Sequence, residues 1–233
     1  MKNADTMIEP VRIVIATFKN KISLAELPFF RGSMIQLSSN HPLFHNHEDN
    51  GFRYSYPLVQ YKCIDGHAVM IGLNEGGIAI ERLLEDRISF SCQLGNRFTE
   101  LELIGVRSQK VKVESLSELQ TYSLQSWLPL NSENYQGYLA ADGLVERMLL
   151  LERILIGNIL SFAKGIGVFF DEPICCRIQQ IKQGKMFVYK NVEMVSFSAI
   201  FQSNVSLPDY IGLGKSVSLG NGIVIRIKDD RKR

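Results

Sequence analysis

Residues 42–62 read PLFHNHEDNGFRYSYPLVQYK, from Pro42 to Lys62. The first part places His45 and His47 one residue apart in a short polar loop, with His41 just before them. The second part, RYSYPLVQYK, alternates. Tyr54, Tyr56, Leu58 and Gln60 fall on one side, and Arg53, Ser55, Val59 and Tyr61 on the other. That is the period of a strand, whose successive side chains point to opposite faces. Imidazole, Arg53 and several phenols therefore gather at the mouth of one strand, a density that suits a functional surface.

Working outward, Val11, Ile13 and Ile15 alternate in a first strand after Pro10. Ser23, with Glu26 three residues on, fits a capping box for a helix over LAELPFFRGSMIQLSS. Pro28 fits that helix only if it begins near Leu27, and Asn40-His41-Pro42 ends it. Downstream, Asp65-Gly66 joins the RYSYPLVQYKCI strand to HAVMIGL as a tight hairpin. Asn74 is expected to cap a second helix with Ile78, Ile80, Leu83 and Leu84 on its apolar side, and ISFSCQL and RFTELELIGVRSQKVKV follow as strands. The order β-α-β-β-α-β is that of a ferredoxin-like split βαβ unit.

The polar run ESLSELQ reads as a junction, dividing the chain into domains 1–117 and 118–233. Beyond it comes the strand TYSLQSWLPL. A long helical stretch follows, with Leu144, Met148, Leu151, Leu155, Ile159 and Phe162 in an apolar stripe and a break at Asp142-Gly143. ICCRIQQIK and KMFVYKN read as a hairpin turning at Gln183-Gly184, followed by VEMVSFSAIFQSNV and the closing strand IVIRIKDD. The second half thus repeats the first, with its second helix replaced by SLPDYIGLGKSVSLGNG. The expected fold class is α+β, two tandem ferredoxin-like (RRM-like) domains, the second with a degraded second helix and a glycine-rich loop.

With 45% apolar and 21% charged residues, the 233-residue chain has ordinary globular composition. A formal charge of +2 excludes a generally basic polyanion binder, so any nucleic-acid site is a local patch. Cys63, Cys92, Cys175 and Cys176 have no CxxC spacing and read as reduced thiols in a cytoplasmic protein. No signal peptide is expected. The longest apolar run is interrupted by Glu152, Arg153 and Asn158, which argues against a membrane span.

Three readings fit the histidine loop. Histidines titrating near neutrality can take the proton of a ribose 2′-OH and protonate a leaving 5′-oxygen, with a tyrosine positioning the phosphate. A His-x-His pair can contribute to a metal site with Glu48, Asp49 or Cys63, though no second cluster supplies further ligands. A polar surface loop needs no chemistry at all. In GLGKSVSLGNG, Gly212, Gly214, Gly220 and Gly222 surround Lys215 and Ser216. This is not a P-loop, because no helix follows the GKS, but its N–H groups and lysine can line an anion-binding concavity. Lys182, Lys185 and Lys190 crowd the second hairpin, where they form either a solvated face or a hold on RNA phosphates.

Two ferredoxin-like halves, with histidines after the first helix and a glycine-rich loop before the last strand, make the chain similar to a known family. It resembles the CRISPR repeat-processing endoribonucleases of the RAMP superfamily over nearly its whole length. The markers are His45-x-His47 followed by Tyr54 and YSYPLVQYK, and then GLGKSVSLGNG. The resemblance implies metal-independent cleavage of CRISPR precursor RNA within its repeats, with no cofactor. Attack by the 2′-OH would leave a 2′,3′-cyclic phosphate and a 5′-OH. It assigns catalysis to His45, His47 and Tyr54, with His47 the principal proton-transfer residue. RNA contacts fall to Arg53, Lys182, Lys185, Lys190, Gly212, Gly214, Lys215, Ser216, Gly220 and Gly222. Implied partners are the repeat RNA, a second copy of the chain and subunits of a CRISPR effector complex. The competing reading is a non-catalytic RAMP-type subunit that binds crRNA without cutting it.

Overall fold

The computed structural model describes residues 9–45, 47–48, 51–52, 56–189 and 192–228; side chains are described for these except at 47–48, 51–52, 185–189 and 192–193. The first half contains β1 (Val11–Lys21), α1 (Leu27–Leu37), the one-turn α2 (Pro42–His45), and the short β2 (His47–Glu48) and β3 (Gly51–Phe52). It continues through β4 (Val59–Ile64), β5 (His67–Leu73), α3 (Glu75–Leu84), β6 (Ser89–Leu94) and β7 (Arg97–Val111). The second half contains β8 (Ser115–Trp127), α4 (Ser132–Ala140), α5 (Gly143–Gly165), β9 (Cys176–Tyr189), β10 (Val192–Val205) and β11 (Ile223–Arg226).

Sheet order β4-β5-β1-β7-β6 in the first half and β11-β8-β10-β9 in the second gives the ferredoxin-like arrangement twice, with β6 added outside β7. The Asp65-Gly66 turn forms as expected, both residues at positive φ (52° and 80°), the requirement of a type I′ hairpin. Alternation along β1 divides the interior. Val14, Ala16 and Phe18 meet Leu27, Phe30 and Met34 of α1 and Ile80 and Leu84 of α3 in one core. Val11 and Ile13 on the opposite face belong to a second core, shared with the other half of the chain.

Helix α5 anchors that second core. Leu151, Leu155, Ile159 and Phe162 are buried, each contributing roughly 2 kcal/mol of apolar burial. The polar residues that interrupt the apolar run tie α5 to the sheet. Glu152 Oε1 accepts from the Ile178 amide at 2.8 Å, and Asn158 Oδ1 from Trp127 Nε1 at 2.9 Å. Among the described residues no helix is long and apolar enough to cross a membrane.

Three local expectations are corrected. Gly184 does not turn the chain: β9 continues through it to Tyr189, and its pairing with β10 shifts register between Gln183 and Met186. A Cβ at Gly184 would lie 2.5 Å from Ser196 Oγ, so close strand contact, not a turn, requires the glycine. The polar run expected at the junction leads directly into β8, which begins at Ser115. Asn74 does not cap α3 with its side chain; its Oδ1 accepts from Arg12 N at 3.1 Å and its Nδ2 donates to Ile166 O at 3.4 Å. Ser23 and Glu26 do bond each other, but in a turn that precedes a helix starting at Leu27, one residue before Pro28.

Candidate active site

The free edge of β4 decides where the site forms. In the first sheet β4 has a hydrogen-bonded strand only on its β5 side. Its other edge is met by residues 206–222, the segment replacing the missing second helix. Tyr61 N donates to Ser218 O at 3.2 Å, and Tyr61 forms a parallel bridge with Leu219. Three buried polar side chains reinforce the seam. Tyr56 OH donates to Gly212 O at 2.7 Å, Gln60 Nε2 donates to Tyr56 OH at 2.8 Å, and Gly212 N donates to Gln60 Oε1 at 3.0 Å. Lys62 Nζ, fully buried, donates to Val217 O at 3.1 Å. Burial holds the Tyr56 and Tyr61 phenols well above the ordinary tyrosine range, so both stay protonated donors. Burial likewise pushes Lys62 down to about 7.

The loop's glycines are structural necessities at two positions in particular. Gly222 has φ +67°, and a Cβ there would lie 1.8 Å from Leu213 O. Gly214, at φ +94°, lets the backbone lie on Trp127, with a Cβ only 2.8 Å from the indole Cδ1. Most of the loop amides expected to face an anion are already donated within the protein. Gly212 N goes to Gln60, Lys215 N to Leu128 O, Gly220 N to Val217 O and Gly222 N to Ser126 O. The cation of the loop is differently placed: the Lys215 ammonium makes no hydrogen bond or ion pair among the described residues, and partial burial lowers its pKa.

Tyr61 carries the seam to the histidines. Its ring packs edge-on against Phe30 at 5.7 Å, and its hydroxyl donates to Phe44 O at 3.2 Å, the residue before His45. Arg31 of α1 donates through Nη2 to His45 O at 2.8 Å, while its buried Nε has no hydrogen-bond partner. His45 does not sit in an open loop; it ends the one-turn helix α2. Its Nε2 lies 2.8 Å from Asn40 O, and because a carbonyl only accepts, that nitrogen carries the proton. His47 is paired through its backbone with Phe52 in the β2–β3 hairpin. Its side chain lies outside the described residues, as do Arg53, Tyr54, Lys190 and the Lys185 side chain.

Thus the histidine segment and the glycine-rich loop, more than 150 positions apart, meet through Tyr61 and α1. Lys182 does not join them; it is exposed on β9, paired with Ser198. Among the described residues no three His, Cys, Asp or Glu side chains gather as a metal site. Sequence reading passed over Tyr56, Gln60 and Tyr61 as site residues. Their signal was Gln60 and Lys62, polar side chains within an otherwise apolar strand.

Tandem ferredoxin-like units, with the glycine-rich loop of the second closing the first beside a histidine segment, define a protein of the RAMP type. Family models described as the Cas6b N-terminal domain and the Cas6b C-terminal domain match residues 9–112 and 114–227. The chain belongs to the Cas6b family. It is similar to a crystal structure of Cas6b, with TM-score 0.81 and 28% identity, covering 93% of this chain and 100% of that one. A crystal structure of the CRISPR RNA processing endoribonuclease Cas6b superposes with TM-score 0.71 and 26% identity, over 93% and 99% of the two chains. The Methanocaldococcus jannaschii protein "Uncharacterized protein MJ0978" is 34% identical over 134 residues, 56% of this chain and 82% of that protein.

Proposed function

We propose that this chain is an endoribonuclease that cuts CRISPR precursor RNA within its repeats. The 2′-OH at the cut site attacks the adjacent phosphorus and the 5′-oxygen leaves, giving a 2′,3′-cyclic phosphate and a 5′-OH without a metal. The observation that carries the reading is the meeting of the histidine segment and the glycine-rich loop at Tyr61. It is supported by membership of the Cas6b family and by a solved relative described as a CRISPR RNA processing endoribonuclease.

His47 is the principal proton-transfer residue, His45 its partner, and Tyr54 positions the phosphate. Because His45 Nε2 donates to Asn40 O, that nitrogen cannot accept the 2′-OH proton while the bond stands, which favours His47 as base. Lys215, Arg53 and the lysines at 182, 185 and 190 hold the RNA backbone by charge. The same backbone contact of His45 also suits the competing reading, a crRNA-binding subunit with a structural histidine.

The deciding experiment incubates the protein with repeat RNA in EDTA and analyses the fragment ends. Cyclic phosphate and 5′-OH ends are expected, with no cutting when the cut-site ribose is 2′-deoxy. His47→Ala should slow cleavage by ~10²-fold or more with RNA binding retained. Tight binding without cleavage by the unaltered protein would establish the subunit reading instead.

A further inference from the structure

Two small clefts flank the glycine-rich loop. One, of about 170 Å³, has an apolar lining from Leu24, Pro28, Leu128, Met194 and Leu219. Its polar lining residues are Ser126, Ser216 and Asn221. The second, of about 210 Å³, lies at the start of α4, where Asn131, Ser132 and Tyr135 face Lys215 and Met194. Met194 lines both clefts, and the neighbours Lys215 and Ser216 line one each. The two are therefore adjacent compartments that share Met194 as a wall, and the Lys215 ammonium, without a partner among the described residues, lies on the second.

The chemistry of the first compartment is specific. The Ser126 and Ser216 hydroxyls have no hydrogen-bond partner among the described residues, and Asn221 makes one long contact, Nδ2 to Ser216 O at 3.4 Å. Its Oδ1 and second N–H remain to pair with a ligand. Both serines occupy the left-handed region, φ 50° and 54°, which non-glycine residues adopt sparsely and which marks functional constraint when it clusters at a cleft. Such a volume is smaller than the roughly 300 Å³ or more of an ordinary small-molecule site. It fits one flat heterocycle among apolar walls, with an amide and two hydroxyls on its edge. Unpaired RNA bases are read by hydrogen bonds to their edges in this manner.

Resting on the RNA reading above, we propose that this compartment is a nucleobase pocket: one unpaired base of the repeat enters it, read at its edge by Asn221. The phosphate next to that base lies on Lys215, and the following base reaches Tyr135. The pocket stands close to the histidines. Pro28 at its wall is three residues before Arg31, which holds His45 O, a rise of about 5 Å along α1. The base selected is therefore a near neighbour of the scissile phosphate, so the pocket sets which phosphate is presented for cutting.

The test uses a series of repeat RNAs, each with a single abasic nucleotide, measured for affinity and cleavage. With the unaltered protein, one abasic position should weaken binding about tenfold, the effect of losing one or two edge hydrogen bonds. In the Asn221→Ala/Met194→Ala double variant that penalty should fall below about twofold, with the penalties at other positions unchanged. The isosteric Asn221→Asp, which leaves the pocket's shape intact, should alter base preference at that position alone. An abasic profile identical in all three proteins would overturn the pocket. Failure of the unaltered protein to cut intact repeat RNA, with the position-specific penalty still present, would sink the nuclease reading and leave the pocket standing.

Discussion

Replacing Lys62 by Met tests the seam between the two halves through its energetics. The Lys62 amine is fully buried, donates among the described residues only to Val217 O, and has its pKa pushed to about 7 by desolvation against an ordinary 10.5. The unfolded chain holds that proton up to about pH 10.5, whereas the folded chain releases it near pH 7. Between these values the unfolded state binds more protons, so stability rises with pH, by ~1.4 kcal/mol per unit at full slope. Below about pH 7 the whole penalty applies, about 5 kcal/mol; above 10.5 it is gone. From pH 7 to pH 9.5 the wild type should gain roughly 3 kcal/mol relative to Lys62→Met. Urea unfolding of both proteins at matched pH values isolates the term, because every other titrating group cancels in the difference. Equal pH slopes would refute the reasoning and mean that the amine is hydrated or paired with an acid in the folded state.

Three further substitutions address the glycine-rich loop, with a helical glycine as its control, and the loop's link to the histidines. Gly222→Ala, at positive φ with its new methyl against Leu213 O, should cost more than about 3 kcal/mol in denaturant melts. Gly157→Ala, in α5 with nothing near its Cβ position, should stabilise by about 0.5–1 kcal/mol; a reversed order would contradict the described loop. Tyr61→Phe keeps the packing on Phe30 but leaves Phe44 O without its donor, a loss of about 1–2 kcal/mol. By loosening α2 beside His45, it should reduce repeat cleavage more than repeat binding, as single-turnover rates beside filter-binding affinities would reveal.

The repeated β-α-β-β order was legible because it rests on local signals. Strand alternation, the positive-φ Asp65-Gly66 turn and the break at Asp142-Gly143 depend on a few neighbouring residues. Errors arose where one residue type serves two physical purposes. Gly184 looks like a turn but admits the close approach of Ser196, and Asn74 looks like a cap but ties β1 to the end of α5. The site was legible in part: the histidine segment and the glycine loop stand out by composition. How they meet was not, because the contacts join Tyr56, Gln60, Tyr61 and Lys62 to residues about 150 positions away. Local propensity carries no information about such pairings. Arg31, one cation on an ordinary helix, gave no signal that it would hold the carbonyl of His45.

The closure of β4 by a distant loop sets a timetable for synthesis. Lys62 emerges from the ribosome 155 residues before its partner Val217, an interval of about 8–30 s at ordinary elongation rates of ~5–20 residues per second. Throughout it the nascent β4 has one unpaired edge, the kind of surface that recruits other strands on crowded polysomes. Its lysine is then in water and fully charged, and a charged edge discourages such pairing. The side chain that is costly inside the finished protein is thus a guard for the unfinished one, and it is relieved when the glycine loop arrives.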